Sequence, residues 1–279
     1  MSAPGWRPRL VALDIDGTIL KWVDGAGMTH EEISPAVKAA VGRALAAGAH
    51  VVLASGRSPH GMAPVADLLE LHAPDRDRLW IVASNGAVVF RHPPLEVVHE
   101  VTFDARPAVE AILRRHPTAL VAIEERGVGY RVNSHFPEGE LSGDMILTDV
   151  EELIAAEVSR VIIRDPDATA DEFVTMAGEL GLHGTSYVVG WTAWLDLAPV
   201  GVSKASGLEY VAQQLGLTAA DALAVGAGRN ALEMFAWAHR SVAMGQAIEQ
   251  VLAAADAVTG SVYDDGLATE LDRWFGETA

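Results

Sequence analysis

The residues best suited to chemistry are two aspartates separated by one residue, Asp14 and Asp16, directly after the apolar run Leu10–Leu13. In a turn, side chains at positions one and three can point to the same side. One carboxylate can then attack a phosphorus atom while the other hands a proton to the leaving oxygen. A solvated turn, in which Asp16 and Gly17 supply only turn geometry, explains the same residues. The pair taken alone leaves both interpretations open.

Three further polar segments also follow or precede predicted elements. Ser55 and Gly56 end a second apolar run and offer a hydroxyl and a backbone N–H suited to phosphate oxygens. Ser55 could instead cap a helix, because Pro59 follows shortly. Lys204 begins a predicted helix and could approach a phosphate, although on its own an ordinary surface lysine is favoured. The segment 226–230 is a glycine-rich turn whose spacing differs from that of a nucleotide-binding loop.

The elements that would position these residues are predicted from apolar runs and caps. Runs without polar alternation, separated by helices, indicate a parallel sheet covered on both faces, with its chemistry at the carboxyl ends of the strands. The strands are predicted at 10–13, 51–54, 80–83, 222–225 and around Val242, and the helices are predicted after the N-caps Ser34 and Ser203.

In the middle of the chain the alternation of buried strands and helices gives way to strands paired locally, with helices on one side. This change predicts a separate α+β domain. A hairpin is predicted from 120–124 and 128–132, strands at 161–164 and 186–189, and helices at 105–115 and 170–180. The fold class is therefore α/β, a Rossmann-like doubly wound parallel sheet core (residues 1–90 plus 191–279) with an inserted α+β domain (91–190). Near the hairpin, the polar candidates for a site are Glu124, Glu125, Arg131 and His135, but surface solvation explains each of them at least as well. For Trp191 and Trp194, core packing is the favoured role.

Composition excludes several classes of function. The net charge of −18 argues against nucleic acid and anionic membranes as partners, while local cations could still hold a small phosphorylated molecule. The absence of cysteine excludes disulfides, thiolate metal sites and a cysteine nucleophile. No apolar stretch reaches the length of a signal peptide or a membrane span, so we expect a soluble, cytoplasmic protein.

Taken in order, these segments resemble the haloacid dehalogenase superfamily, specifically Cof-type phosphatases with an α/β cap inserted between the second and third motifs. The matching segments are Asp14-Ile15-Asp16-Gly17-Thr18, Ala54-Ser55-Gly56-Arg57, Gly201-Val202-Ser203-Lys204 and the stretch Val225–Met234, with Ser84-Asn85-Gly86-Ala87 leading into the cap. The resemblance covers nearly the whole chain.

The resemblance implies a phosphomonoester hydrolase that acts on a small phosphorylated metabolite such as a sugar phosphate. Asp14 would be the nucleophile and a Mg²⁺ ligand. Asp16 would be the general acid and base, and its backbone carbonyl a second Mg²⁺ ligand. The phosphate would be held by the Ile15 backbone, Ser55, the Gly56 amide, Lys204 and Asn230, under a cap that closes and selects the substrate.

The fourth motif departs from the family pattern Gly-Asp-Gly-x-Asn-Asp, because Ala227 and Ala231 stand where the family has aspartate. The first missing aspartate would be a Mg²⁺ ligand, and the second would orient metal-bound water. Loss of a residue that only orients a metal ligand typically costs about 10- to 100-fold in metal affinity or activity, and loss of a direct ligand should cost at least as much. We therefore expect Mg²⁺ to bind weakly.

Three interpretations follow from this loss. The first is a slow phosphatase in which water, Asp264 or Asp265 completes the metal shell; Glu233 is a weaker candidate, and a surface role fits Arg229 better than charge replacement. The second is an inactive phosphate-binding or regulatory module. The third is an engineered inactive form. The retained residues Asp14, Asp16, Ser55, Lys204 and Asn230 favour continued phosphate binding over a purely structural role. Of the three interpretations we adopt a hydrolase of the family type.

Overall fold

The structure is a computed structural model that describes residues 5–21, 32–70, 78–165, 167–169, 172, 175, 185–189 and 192–276. The chain divides into two compact units. The first comprises Met1–Arg57, Met62–Val98 and Ser203–Ala279, and the second comprises Ser58–Gly61 and His99–Val202. All residues proposed above for catalysis or phosphate binding belong to the first unit.

Eight strands form the first sheet: β1 Leu10–Leu13, β2 His50–Ala54, β3 Leu79–Ala83, β4 Val88–His92, β5 Glu96–Glu100, β12 Ala222–Gly226, β13 Arg240–Ala243 and β14 Ala257–Val258. Their order is β14-β13-β12-β1-β2-β3-β4-β5, and the six strands from β14 to β3 run parallel. The predicted doubly wound parallel core is confirmed for these six strands. β4 pairs antiparallel with β3, because the short turn Ser84–Gly86 between them cannot make the long crossover that a parallel pair needs.

The helices are α1 Pro35–Ala46, α2 Pro59–Leu68, α3 Arg106–Arg115, α4 Val150–Leu153, α5 Lys204–Gln214, α6 Leu232–Trp237, α7 Glu249–Ala254 and α8 Gly266–Phe275. In the first unit, α5, α6 and α7 pack on one face of the sheet, and α1, which contacts both β2 and α8, packs on the other. Both faces are covered, which explains why the parallel strands are apolar without alternation. Over the described ranges, no helix is long and apolar enough to cross a membrane.

The second unit contains a sheet of six strands: β6 Leu120–Glu125, β7 Gly129–Val132, β8 Asp144–Leu147, β9 Val161–Asp165, β10 Thr185–Val189 and β11 Thr192–Leu197. Their order is β10-β11-β9-β6-β7-β8, and most pairs are antiparallel. One face packs against α3 and α4. The predicted hairpin is therefore confirmed as β6 and β7. Of the helix predicted at 170–180, only residues 172 and 175 lie within the described ranges.

The limits of the inserted domain differ from those predicted at 91 and 190. β4 and β5 extend the first sheet beyond residue 91, so the second unit takes over the chain only at His99. At the other end, β11 pairs with β9 inside the second sheet, which keeps the chain in that unit through Val202. Strand pairing across long sequence separations decided both limits, and apolar runs do not reveal it. The role of the second unit as a cap stays a prediction.

The polar residues near the hairpin separate into two groups. Glu125 and Arg131 form a partly exposed ion pair of 2.6 Å, and His135 is exposed, as surface solvation predicted. For Glu124 the prediction is wrong: its side chain is 2% exposed and its Oε2 lies 3.9 Å from Arg160 Nη1. Glu124 lies on the same face of the sheet as the buried Trp194, whose core role is confirmed by its contact with Phe136. Trp191 lies outside the described residues.

Candidate active site

The centre of the candidate site is the carboxylate of Asp14, at the carboxyl end of β1. The Asp14 backbone N–H donates to the Val225 carbonyl of β12 at 3.0 Å, so this residue lies where the strand order reverses between β1 and β12. In open α/β sheets, ligands bind in the crevice at this switch point. The residue is only 3% exposed, and the Ile15 backbone N–H donates to its Oδ1 at 2.8 Å. A buried, oriented carboxylate therefore occupies the position where the fold places ligands.

Lys204 supplies the positive charge that faces this carboxylate. Its Nζ donates to Asp14 Oδ1 at 2.6 Å, and its side chain is fully buried. Ser203 accepts the Ser206 backbone N–H while the Ser206 hydroxyl accepts the Ser203 N–H, and this capping box fixes where α5 begins. Lys204 is therefore no ordinary surface lysine. The tertiary fold brings it to Asp14 from 190 residues away.

Asp16 faces a second cation, Arg57. Arg57 Nη2 and Nε donate to the two oxygens of Asp16 at 2.7 and 3.1 Å, which makes a two-pronged ion pair. The backbone turn that presents Asp16 is closed by the Ile15 carbonyl, which accepts N–H groups of Thr18, Ile19 and Leu20. Arg57 belongs to the second motif, but its residue type and position alone did not predict the contact with Asp16.

Ser55 and Gly56 lie at the end of β2. The buried hydroxyl of Ser55 accepts the Arg57 backbone N–H at 3.2 Å, whereas Ser58 accepts the Gly61 N–H at the start of α2. Ser58, not Ser55, is thus the helix cap. A Cβ on Gly56 would lie 3.1 Å from Asn85 Oδ1, so glycine allows close packing of these two loops.

Asn85 joins the loops that follow β2 and β12. It is 6% exposed and adopts a left-handed backbone conformation with φ 51°. Its backbone N–H donates to the Ser55 carbonyl at 3.0 Å, and its side-chain Oδ1 accepts Asn230 Nδ2 at 3.1 Å. The sequence placed Asn85 only in the segment leading to the inserted domain, so its contact with Asn230 was missed.

The degenerate fourth motif lies beside Asp14. A Cβ on Gly228 would be 2.7 Å from Asn230 Oδ1 and 3.8 Å from Asp14 Oδ2. Ala227 is half-buried, and Ala231 is fully buried in the core cluster under α6. The loop therefore lies against the carboxylate, with methyl groups at the two substituted positions.

Gly86 controls how closely the turn Ser84–Gly86 approaches the start of α5. A Cβ at this position would lie 1.9 Å from the Ser203 carbonyl oxygen, and Gly86 has φ +102°. We expect Gly86→Ala to lower the free energy of unfolding by about 2–4 kcal/mol, because the clash adds to the backbone strain. Urea denaturation measures this change.

Gly48→Ala is the matched control for that substitution. Gly48 also has a positive φ, +84°, but no heavy atom lies within 4 Å of the added Cβ. Its expected loss is about 1 kcal/mol, from backbone strain alone. Equal losses in the two variants would show that the close approach of Gly86 to Ser203 contributes nothing.

Comparison with known proteins decides the family. The sequence model of the haloacid dehalogenase-like hydrolases matches residues 11–271, from β1 to α8. The chain belongs to the haloacid dehalogenase-like hydrolase family. This confirms the resemblance drawn from the motifs and, at the level of the family, the predicted hydrolase.

Individual family members agree with this assignment. A phosphoglycolate phosphatase of Natronomonas pharaonis is 30% identical over 94% of this chain and 96% of its own length. An HMP-PP phosphatase of Cronobacter sakazakii is 27% identical over 95% of each chain. A solved haloacid dehalogenase-like hydrolase from Bacteroides thetaiotaomicron has a TM-score of 0.77 at 24% identity, covering 96% of this chain and 99% of that chain. The likeness to that structure supports the fold.

The metal site expected for this family is not matched by the residues present. Mg²⁺ takes oxygen ligands in near-octahedral geometry. Among the described residues, no three acidic or histidine side chains converge on a possible metal position. The proposed substitutes do not change this: Glu233 and Asp264 are exposed, Asp264 accepts a hydrogen bond from Ser261, and Asp265 lies 3.8 Å from Lys21 Nζ. Of the carboxylates that the resemblance implied as direct Mg²⁺ ligands, Asp14 is present and the one at position 227 is not. Lys204 already donates to one oxygen of Asp14.

Proposed function

We propose that this haloacid dehalogenase-like hydrolase cleaves phosphomonoesters of small metabolites through an aspartyl-phosphate on Asp14, slowly and with weak Mg²⁺ dependence. The observation that carries the proposal is the buried Asp14 carboxylate, held at the switch point of the sheet by Lys204 at 2.6 Å. The relatives named above act on phosphoglycolate and HMP-PP, which supports a small phosphorylated substrate. A sugar phosphate is a further member of this class.

The reaction assigns one task to each aspartate. An oxygen of Asp14 attacks phosphorus, and the P–O bond to the leaving group breaks as protonated Asp16 gives its proton to the leaving oxygen. Asp16 then takes a proton from water, whose oxygen attacks the phosphorus of the aspartyl-phosphate. The bond between phosphorus and the Asp14 oxygen breaks, which releases inorganic phosphate and restores both side chains. Because Ile15 N–H and Lys204 both donate to Oδ1, the other oxygen, Oδ2, is the one we assign to attack.

The remaining polar groups would hold the phosphoryl oxygens. We propose this role for the Ser55 hydroxyl, the Gly56 N–H, Asn230 and Lys204, with the Ile15 backbone contributing. Mg²⁺ would have the Asp14 carboxylate and the Asp16 backbone carbonyl as protein ligands, and when bound it would neutralise charge on the phosphoryl group. Two ligands with no further carboxylate are a poor set for this ion, so we propose weak binding.

A second candidate function is a phosphate-binding or regulatory module without turnover. The alanines at 227 and 231 favour it, because phosphoryl transfer normally relies on cationic clamping of the transferred group. Phosphate release from a panel of small phosphomonoesters, measured against Mg²⁺ and Mn²⁺ concentration, separates the two functions. Release that rises at high metal concentration supports the hydrolase. Silence at every metal concentration, with phosphate still raising the melting temperature, supports the module.

Restoring both carboxylates is expected to restore the metal site. In Ala227→Asp/Ala231→Asp we expect Mg²⁺ affinity to rise by about 10- to 100-fold, with a faster turnover. Because Ala231 is fully buried, the added carboxylate should also make folding stability depend on Mg²⁺. Calorimetric titration with Mg²⁺ and thermal unfolding in Mg²⁺ and in EDTA measure both effects.

Ala227→Asn/Ala231→Asn is the matched control for the restored site, since it adds nearly the same volume without charge. We expect no gain in Mg²⁺ affinity from it. Equal behaviour of the aspartate and asparagine variants would contradict the placement of this loop at a former metal site.

A further inference from the structure

We propose that the site binds a phosphate dianion without a divalent cation, using Lys204 and Arg57 as its positive charges. This inference rests on the site of the proposed function and deepens it by naming the electrostatic source of anion binding. The described residues do not match the expected metal site, so the positive charge that attracts an anion has to come from the chain itself.

While Asp16 is paired with Arg57, as in this structure, the charges of the four central side chains cancel. Lys204 Nζ lies 2.6 Å from Asp14, and the Arg57 guanidinium contacts Asp16 at 2.7 and 3.1 Å, so each carboxylate faces its own cation. Aspartates at 227 and 231 would add two negative charges, which one divalent cation would offset. Replacing both by alanine and removing the dication therefore leaves the total charge of the site unchanged. To first order, a phosphate therefore meets the same net charge in this site as in a site that has both aspartates and the divalent cation.

Lys204 can serve Asp14 and a phosphate together. An ammonium group carries three N–H donors, and Asp14 Oδ1 takes one of them. The side chain is fully buried, where a charge acts through a low dielectric and is weakly screened by salt. Its position is fixed by the capping box that begins α5. A cation held in this way attracts an anion with little loss of side-chain freedom.

Arg57 can exchange its carboxylate partner, Asp16, for a phosphate. The guanidinium fork fits both groups with the same two-pronged geometry. Its side chain is 20% exposed, and its backbone N–H donates to the Ser55 hydroxyl, so the cation is anchored in the loop that carries Ser55 and Gly56. When the fork moves to the phosphate, both oxygens of Asp16 are released from Arg57. Binding of the anion would therefore release the Asp16 carboxylate from Arg57 in the same step.

Titration of the full chain with inorganic phosphate tests this, in excess EDTA and in excess Mg²⁺. We expect the two dissociation constants to agree within about threefold, because the site needs no added cation. In Ala227→Asp/Ala231→Asp we expect phosphate binding to weaken in EDTA and to recover with Mg²⁺. Phosphate binding by the unaltered chain that requires Mg²⁺ overturns the proposal, and this comparison needs no variant to fold.

Arg57→Gln is expected to weaken phosphate binding by about 10- to 100-fold through loss of charge-assisted hydrogen bonds. Arg57→Lys keeps the charge but loses the fork, so an intermediate loss is expected. Arg229→Gln is the control: this exposed cation lies in the fourth-motif loop and should change the affinity by less than about twofold. Equal losses in Arg57→Gln and Arg229→Gln would overturn the role of Arg57.

Failure of this inference is distinguishable from failure of the proposed function. Phosphate binding in EDTA without turnover would reject hydrolysis and leave metal-free anion binding standing. Turnover combined with Mg²⁺-dependent phosphate binding would do the reverse.

Discussion

Asp14→Asn is expected to lower the rate of phosphate release by more than about 10³-fold, because an amide does not form the aspartyl-phosphate. Asparagine keeps the size of the side chain and leaves an oxygen acceptor within reach of Ile15 N–H and Lys204 Nζ, which lie 2.8 and 2.6 Å from Asp14 Oδ1. The geometry of the site is therefore largely kept while the proposed nucleophile is removed. Initial rates on the phosphomonoester panel, at several Mg²⁺ concentrations, measure the effect.

Stability must be measured alongside the rate, because Lys204 loses its charged partner in this variant. An uncompensated buried charge typically costs about 3–5 kcal/mol, and Lys204 is only 1% exposed. Asp14→Asn/Lys204→Met removes that charge, so it should regain stability but no activity. Asp272→Asn, at a surface carboxylate paired with Arg43, should keep the rate within about twofold. Substantial turnover by folded Asp14→Asn would place the chemistry elsewhere.

Arg160→Met is expected to lower the free energy of unfolding of the second unit by about 3–5 kcal/mol. Arg160 Nε and Nη2 donate to the two oxygens of Asp196 at 2.8 and 2.7 Å, and Glu124 lies 3.9 Å away. The side chains of these residues are 2–7% exposed. Arg160 also donates to the Tyr130 hydroxyl, and burial raises the pKa of that phenol, so it stays neutral. Removing the guanidinium thus takes away the positive charge that Arg160 supplies to the buried carboxylates of Asp196 and Glu124.

Arg131→Met is the matched control, because Arg131 also contacts two carboxylates, Glu125 and Glu152, but its side chain is 40% exposed. The expected loss there is about 0–1 kcal/mol. Urea denaturation gives the overall loss, and amide hydrogen exchange in β9 and β11 shows that it arises in the second unit. Equal losses in the two variants would contradict the argument from burial.

Replacing the whole cluster by apolar residues gives a further check. Arg160→Met/Glu124→Leu/Asp196→Leu should recover much of the stability that Arg160→Met loses, because desolvation of the two carboxylates is then removed as well. If the triple variant stays as unstable as the single one, side-chain packing rather than charge explains the effect.

The loss of two carboxylates and the pairing of both aspartates give one physical picture of the site. Asp14 and Asp16 each face a cation supplied by the chain, Lys204 and Arg57 respectively. A site with these two carboxylates and without such cations would present only negative charge to an incoming anion. The phosphate titration tests this balance of charge in the unaltered chain, and Ala227→Asp/Ala231→Asp tests it by adding two negative charges.

The sequence by itself determined the elements whose signals are local. The apolar run Leu10–Leu13 is β1, Ser34 accepts the Val37 N–H at the start of α1, and Ser203 begins α5. Burial on both faces removes polar alternation, and a cap residue bonds within its own turn, so neighbouring residues carry both signals. The motifs were equally local, and they identified the family and the alanines at 227 and 231.

Only the tertiary structure decided which distant side chains meet. The burial of Lys204 against Asp14, the fork of Arg57 on Asp16 and the contact of Asn85 with Asn230 join residues 190, 41 and 145 positions apart. The same holds for Glu124, which the sequence predicts at the surface, whereas the fold buries it 3.9 Å from Arg160, the partner of Asp196. Charge pairing depends on distance and burial in three dimensions, and a linear pattern of residue types carries neither.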